Sequence, residues 1–102
     1  MPTKISVIYD NPTDADAFEA GYIELVPLAK AMPGQTRLET AKVWPKEDGS
    51  PTPAYRTIDI YFKDYDAAVA EVKSPEAGAF IPHLRELGTG GVRILFQDVE
   101  ES

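Results

Sequence analysis

The sequence predicts an α+β fold in which four strands form one antiparallel sheet and the helices pack on a single face of it. Residues alternate between apolar and polar over 3–9, 35–43, 55–63 and 92–99, the period of half-buried strands. Apolar residues recur every three or four positions from Phe18 to Met32 and again from Tyr65 to Leu87, the period of amphipathic helices. The resulting order is strand, helix, strand, strand, helix, strand, which a ferredoxin-like βαββαβ arrangement satisfies. A length of 102 residues fits a single domain spanning 1–102.

The first strand, residues 3–9, places Ile5, Val7 and Tyr9 on one side. Asp10-Asn11-Pro12 is a turn cluster. Thr13 is placed to cap the first helix, with Asp16 three residues on. Phe18, Tyr22, Leu25, Ala29 and Met32 mark that helix's buried face. Pro27 lacks an amide hydrogen and crowds the preceding turn, so a kink or split is expected near Leu25 and Val26. Pro33-Gly34 ends the helix.

Residues 35–43 form a polar-rich second strand. Residues 44–53 hold three prolines and a glycine and read as a solvent-facing loop. The third strand sets Ile58, Ile60 and Phe62 on one face and Tyr55, Thr57, Asp59 and Tyr61 on the other. Asp64 caps a second helix with Tyr65, Ala68, Val69 and Val72 buried. Ser74-Pro75-Glu76 starts a fresh helix, with Phe80, Leu84 and Leu87 toward the core. Pro82 restricts Ile81 and argues against one continuous helix there. Gly88 fits a left-handed stop, Thr89-Gly90-Gly91 is a turn, and residues 100–102 form an acidic tail after the last strand.

Charge and composition narrow the partners. Ten Lys and Arg against 17 Asp and Glu give a net charge of −7, which argues against nucleic acid and anionic membrane surfaces. No apolar run is long enough for a transmembrane helix. There is no cysteine, so disulfides, thiolate metal sites and a cysteine nucleophile are excluded. His83 is the one histidine, which excludes a zinc site built on several His ligands. With no export signal expected at the N-terminus, a cytoplasmic location follows.

The helices cover one sheet face, yet the first and last strands carry apolar residues on both. Ile8 lies opposite Val7, Leu95 and Val99 lie opposite Ile94 and Phe96, and Tyr55 and Tyr61 lie opposite Ile58 and Phe62. A broad apolar second face is therefore expected, and a homodimer through the sheet faces would bury it.

Several segments taken together resemble the EthD family of small dimeric α/β-barrel proteins. They are Val7-Ile8-Tyr9 followed by Asn11-Pro12, then Phe18 and Tyr22, Val26-Pro27-Leu28 and Pro33-Gly34. Tyr55, Tyr61-Phe62, Ser74-Pro75-Glu76 and Thr89-Gly90-Gly91-Val92 complete the series, which runs roughly from Ile5 to Phe96. The resemblance implies a dimeric barrel with a pocket between the sheet and the first helix. The family takes its name from a protein tied to bacterial ethyl tert-butyl ether degradation, and most members lack a defined activity. Related barrels include cofactor-independent monooxygenases, haem-dependent enzymes and small decarboxylating or cyclising enzymes, so the fold does not choose a reaction. Many members carry a histidine two residues before the proline that matches Pro27. Here that position is Leu25, which removes any base or haem ligand of that kind. Tyr22 matches the family's tyrosine on the first helix.

Tyr22 and His83 are the candidate catalytic residues. Tyr22 sits in the apolar stripe, where its hydroxyl either orients a ligand or serves the core. As a histidine, His83 suits a general base, but a histidine beside a core stripe also serves as a plain helix-flank residue. Asp59, mid-strand on the second face, needs a partner, and Arg37, Arg56 and Arg93 are the available cations for an interface ion pair. Trp44 either caps the pocket or seals a dimer edge. Ser6, Ser50, Ser74 and Ser102 lie in no nucleophile context, and Gly88-Thr89-Gly90-Gly91 lacks the lysine and the spacing of a phosphate loop.

Two functions are in view. In the first, the chain binds an apolar or aromatic metabolite, with Phe18, Tyr22, Leu25, Leu28 and Met32 on one wall and Ile58, Ile60 and Phe62 on the other. Any chemistry would be cofactor-independent, since no ligand set for a metal is offered, and the resemblance implies a catabolic or accessory role. In the second, it is a non-enzymatic dimeric binding or assembly subunit with a filled core. A cavity of about 300 Å³ or more with convergent polar groups marks the first, and a filled interior between Tyr22 and Ile60 marks the second.

Overall fold

The structure is a computed structural model and describes residues 1–101. Ser102, the last residue of the expected tail, lies outside the described residues. The elements are β1 (Thr3–Tyr9), α1 (Ala15–Lys30), β2 (Arg37–Lys42), β3 (Arg56–Phe62), α2 (Tyr65–Glu71), α3 (Pro75–Leu87) and β4 (Val92–Asp98). The four strands make one sheet in the order β2-β3-β1-β4, with every neighbouring pair antiparallel. This is the ferredoxin-like arrangement, with the second helical region broken into two helices at Ser74.

Local chemistry explains the helix ends. Asp14, not Thr13, caps α1, accepting from the Ala17 amide at 3.2 Å. Thr13 is held in the preceding turn, where its own amide donates to Thr89 Oγ1 at 3.1 Å. Asp64 caps α2 and Ser74 caps α3, each accepting from the amide three residues on. Gln35 belongs to no strand. Its side-chain amide donates to the carbonyls of Ala29 and Met32 and closes the end of α1.

Both interior prolines sit inside unbroken helices, contrary to the sequence expectation. Pro27 shares an exposed face with Ile23, which is 74% exposed, while Leu25 and Ala29 on the other face are fully buried. The lost hydrogen bond falls where water reaches the freed carbonyl, and packing holds the helix on either side. Pro82 is likewise exposed, and the residue four before it, Gly78, has open space around it. Gly88 is not left-handed, at φ −77°. Its small size instead admits Val92, whose Cγ1 would lie 2.9 Å from an added Cβ. The left-handed residue of this turn is Gly91, at φ +117°.

The core forms where the helices meet the sheet. Ile5, Val7, Tyr9, Ile58, Ile60 and Phe62 face Phe18, Tyr22, Leu25, Ala29 and Met32, with Ala68, Ala77, Phe80 and Leu84 completing it. On α2 the buried residues are Ala68 and Glu71. Tyr65, expected inside, is mostly exposed and packs its edge on Phe96, and Val69 and Val72 are half-buried.

The register puts Lys4, Ser6, Ile8, Thr57, Asp59, Tyr61, Glu39 and Leu95 on the sheet face opposite the helices. This face is not the broad apolar patch expected. Ser6 hydrogen-bonds Asp59 and, at 2.7 Å, Gln97 Oε1, and Lys4 Nζ lies 3.6 Å from Asp59. Tyr61 donates to Glu39 at 2.6 Å. Polar groups fill the centre because β1 and β3 carry Ser6 and Asp59 directly across from each other. Tyr55 is also corrected. At the bend before β3 it turns to the helix side, packing edge-on against Phe18 and donating to Glu19 at 3.2 Å.

Candidate functional site

α3 packs against α1 and buries Ala77, Phe80 and Leu84 toward the sheet. The approach is close at Gly21, where an added Cβ would come within 2.4 Å of Leu87 Cδ2. His83 fixes the same contact, its Nε2 lying 3.2 Å from the Gly21 carbonyl. A cavity of about 190 Å³ remains beneath α3. Ile5 and Val7 of β1, Ile60 of β3 and Ile94 and Phe96 of β4 form its floor. Met32, Val72, Phe80, Ile81 and Leu84 form the remaining walls, with Arg85 the one charged residue among them. The exposed members are Arg85 and Phe96, and they mark the opening. Other depressions beside the loop after β2, around Val43, Pro45 and Pro51, have volumes of about 430 and 250 Å³ and are more open to solvent.

The cavity lies to one side of the residues named from the sequence for a pocket. Of the eight residues named for it, Met32 and Ile60 line the cavity. Phe18, Tyr22, Leu25, Ile58 and Phe62 are buried in close-packed core, and Leu28 is half-buried against it. Tyr22 and Ile60 belong to one buried core cluster. Phe80 and Leu84 were legible as core-facing residues on helical spacing. Ile81, Arg85, Ile94 and Phe96 were not assigned to a site, because the gap they border depends on how far α3 stands from the sheet.

Tyr22 and His83 both lie outside the cavity. The Tyr22 ring stacks on Phe18 with centroids 5.9 Å apart, under the Arg56 guanidinium at 4.3 Å. Its hydroxyl is buried with no hydrogen-bond partner among the described residues. Nearby, Tyr9 donates to the Leu84 carbonyl at 2.7 Å. Burial, and secondarily the neighbouring Tyr22, push the Tyr9 phenol well above its ordinary range, so it stays a donor. Asp59 takes Lys4 as its cation, not an arginine. Arg37 instead pairs with Glu39, Arg56 with Glu19 and Arg93 with Asp10. Trp44 is 88% exposed and caps nothing within the protomer. Among the described residues no three His, Asp or Glu side chains come together as a metal site. No helix of the described residues is long and apolar enough to cross a membrane.

The Arg56–Glu19 pair joins β3 to α1. The hydrogen bond from Arg56, with Nε at 2.9 Å, holds the Glu19 carboxyl below its ordinary value of 4.5, with Lys42 and Tyr55 adding to it. A carboxylate with a lowered folded pKa stabilises fully above its unfolded pKa and loses that contribution as pH falls through the folded value. Glu19→Gln is therefore expected to flatten the acid side of the stability curve below pH 4.5. Urea denaturation across about pH 3–7 measures this, and an acid limb identical to wild type would show that the pair adds no pH-dependent stability.

No protein-family model matches the chain. An uncharacterized 11.0 kDa protein from the thcB–thcC intergenic region of Rhodococcus erythropolis is 31% identical over 98 residues, covering 95% of this chain and 94% of that protein. An EthD-family crystal structure from Bacillus halodurans superposes with a TM-score of 0.88 at 18% identity, over 97% of this chain and 99% of the other. A dimeric ferredoxin-like protein of unknown function from Jannaschia sp. gives a TM-score of 0.69 at 18% identity, over 97% of this chain and all of the other (100%).

Proposed function

From the premise that the chain belongs to the family of the 11.0 kDa Rhodococcus erythropolis protein and has an EthD-like fold, we propose that it is a homodimeric small-molecule-binding protein with its site in the cavity beneath α3. The cavity itself carries this reading. It is lined almost wholly by Ile, Val, Leu, Met and Phe, and its volume is about 190 Å³. An enclosed apolar cavity of about 150 Å³ admits benzene. A single ring or a short chain therefore fits, and the occupant is smaller than the drug-sized ligands of pockets above about 300 Å³. Tyr22 and His83 stand outside the cavity, so the geometry favours binding over a turnover that uses them.

The dimer forms through the open sheet face, with the cytoplasm as its setting. Ile8, Tyr61 and Leu95 supply apolar area there, and the Ser6–Asp59–Gln97 bonds already satisfy the polar row that a partner would cover. The Jannaschia structure, described as dimeric, supports a dimer. The burial of Tyr22 with Phe18, Leu25 and Ile60 in one core cluster favours a second reading, an assembly subunit without a ligand.

Native mass spectrometry of the full chain, purified from its own host without organic additives, separates these. The expected result is a dimer carrying a small adduct on each protomer. A bare dimer would favour the assembly subunit, and a monomer would overturn the dimer.

A further inference from the structure

We propose that the ligand of the α3 cavity is a small monocarboxylate, its ring or chain in the cavity and its carboxylate on Arg85 at the mouth. This rests on the cavity being the ligand site. The chain has four arginines. Arg37, Arg56 and Arg93 each lie within 4.0 Å of a carboxylate, whereas Arg85 has no such partner among the described residues. The sequence gives it none locally. The positions three and four residues away along α3 and beyond it are Ile81, Pro82, Gly88 and Thr89, where an acidic residue would otherwise reach back. In a chain with 17 acidic residues and a net charge of −7, the one arginine left without a carboxylate is the one on the cavity wall.

The chemistry of the walls then selects the ligand. The apolar interior accepts hydrocarbon and offers no group to an internal polar atom. Arg85 is exposed, so an anion bound to it keeps part of its hydration and avoids the cost of a fully buried charge. A guanidinium matches a planar carboxylate with two parallel hydrogen bonds. A phosphate dianion would meet a single cation in a strongly acidic protein, with no lysine on the cavity wall to assist. Attraction at long range is absent for the same reason, so discrimination comes from contact at the mouth.

Calorimetric titration of the full chain at neutral pH with hexanoate and with 1-hexanol tests this. The two probes share a tail and differ in charge. Wild type is expected to bind hexanoate about tenfold more tightly than hexanol. Arg85→Gln is expected to erase that preference, and Arg85→Lys to keep part of it. Circular dichroism checks that both variants fold. Equal affinities in wild type, or a preference that survives in Arg85→Gln, would overturn the carboxylate assignment while leaving the cavity as a binding site. Binding of neither probe would overturn both.

Discussion

Gly90→Ala is expected to destabilise the protein by about 3 kcal/mol, read as a shift in its urea midpoint. The turn before β4 presses on the turn after β1. An added Cβ at Gly90 would lie 1.8 Å from the Asn11 carbonyl oxygen and 3.3 Å from the Pro12 Cα. Those are backbone atoms, so no side chain can rotate away. The two turns are also tied together on either side of the contact. The Asp10 amide donates to the Gly91 carbonyl at 3.0 Å, and the Thr13 amide donates to Thr89 Oγ1. Making room for one methyl group means separating two turns that position β1, β4 and the start of α1. Gly78→Ala is the control. It lies inside α3 with nothing within 4 Å of an added Cβ, so it is expected to be neutral or slightly stabilising. Equal effects at both positions would show that the turn contact is not tight.

Leu84→Ala is expected to cost about 3 kcal/mol and to enlarge the cavity. Leu84 is 1% exposed and lines the cavity from α3. Its removal deletes core contacts on the side of α3 that borders the cavity. The Tyr9 hydroxyl bonds the Leu84 carbonyl, which the substitution leaves in place, so the loss isolates the side chain. Urea denaturation measures the cost. A loss below about 1 kcal/mol would mean that α3 settles onto the sheet and that the gap is not held open by the α1 contact.

That gap explains what was legible in the sequence and what was not. The strands were readable because their period of two is local, and the Asp64 and Ser74 caps because capping chemistry spans three residues. The continuity of α1 and α3 was not readable at Pro27 and Pro82. There, burial of Leu25 and Ala29, and of Ala77, Phe80 and Leu84, outweighs one lost hydrogen bond on a wet face. Tyr55 broke alternation because Glu19, distant in sequence, gives both Tyr55 and Arg56 a partner on the helix side. The cavity was the least legible feature. Its position follows from the close approach of α3 to α1 at Gly21 and Leu87, a distance that no periodicity along either helix records. Family resemblance drew attention to Tyr22 and the first helix, while the open space lies under the last one.

The most direct test of the account is a methyl NMR titration of the protein with toluene. The cavity beneath α3 predicts shifts at the methyls of Val7, Ile81, Leu84 and Ile94, with Leu25 and Leu28 on the α1 side unmoved. Shifts centred on Leu25 and Leu28, or no shifts at saturating toluene, would contradict it.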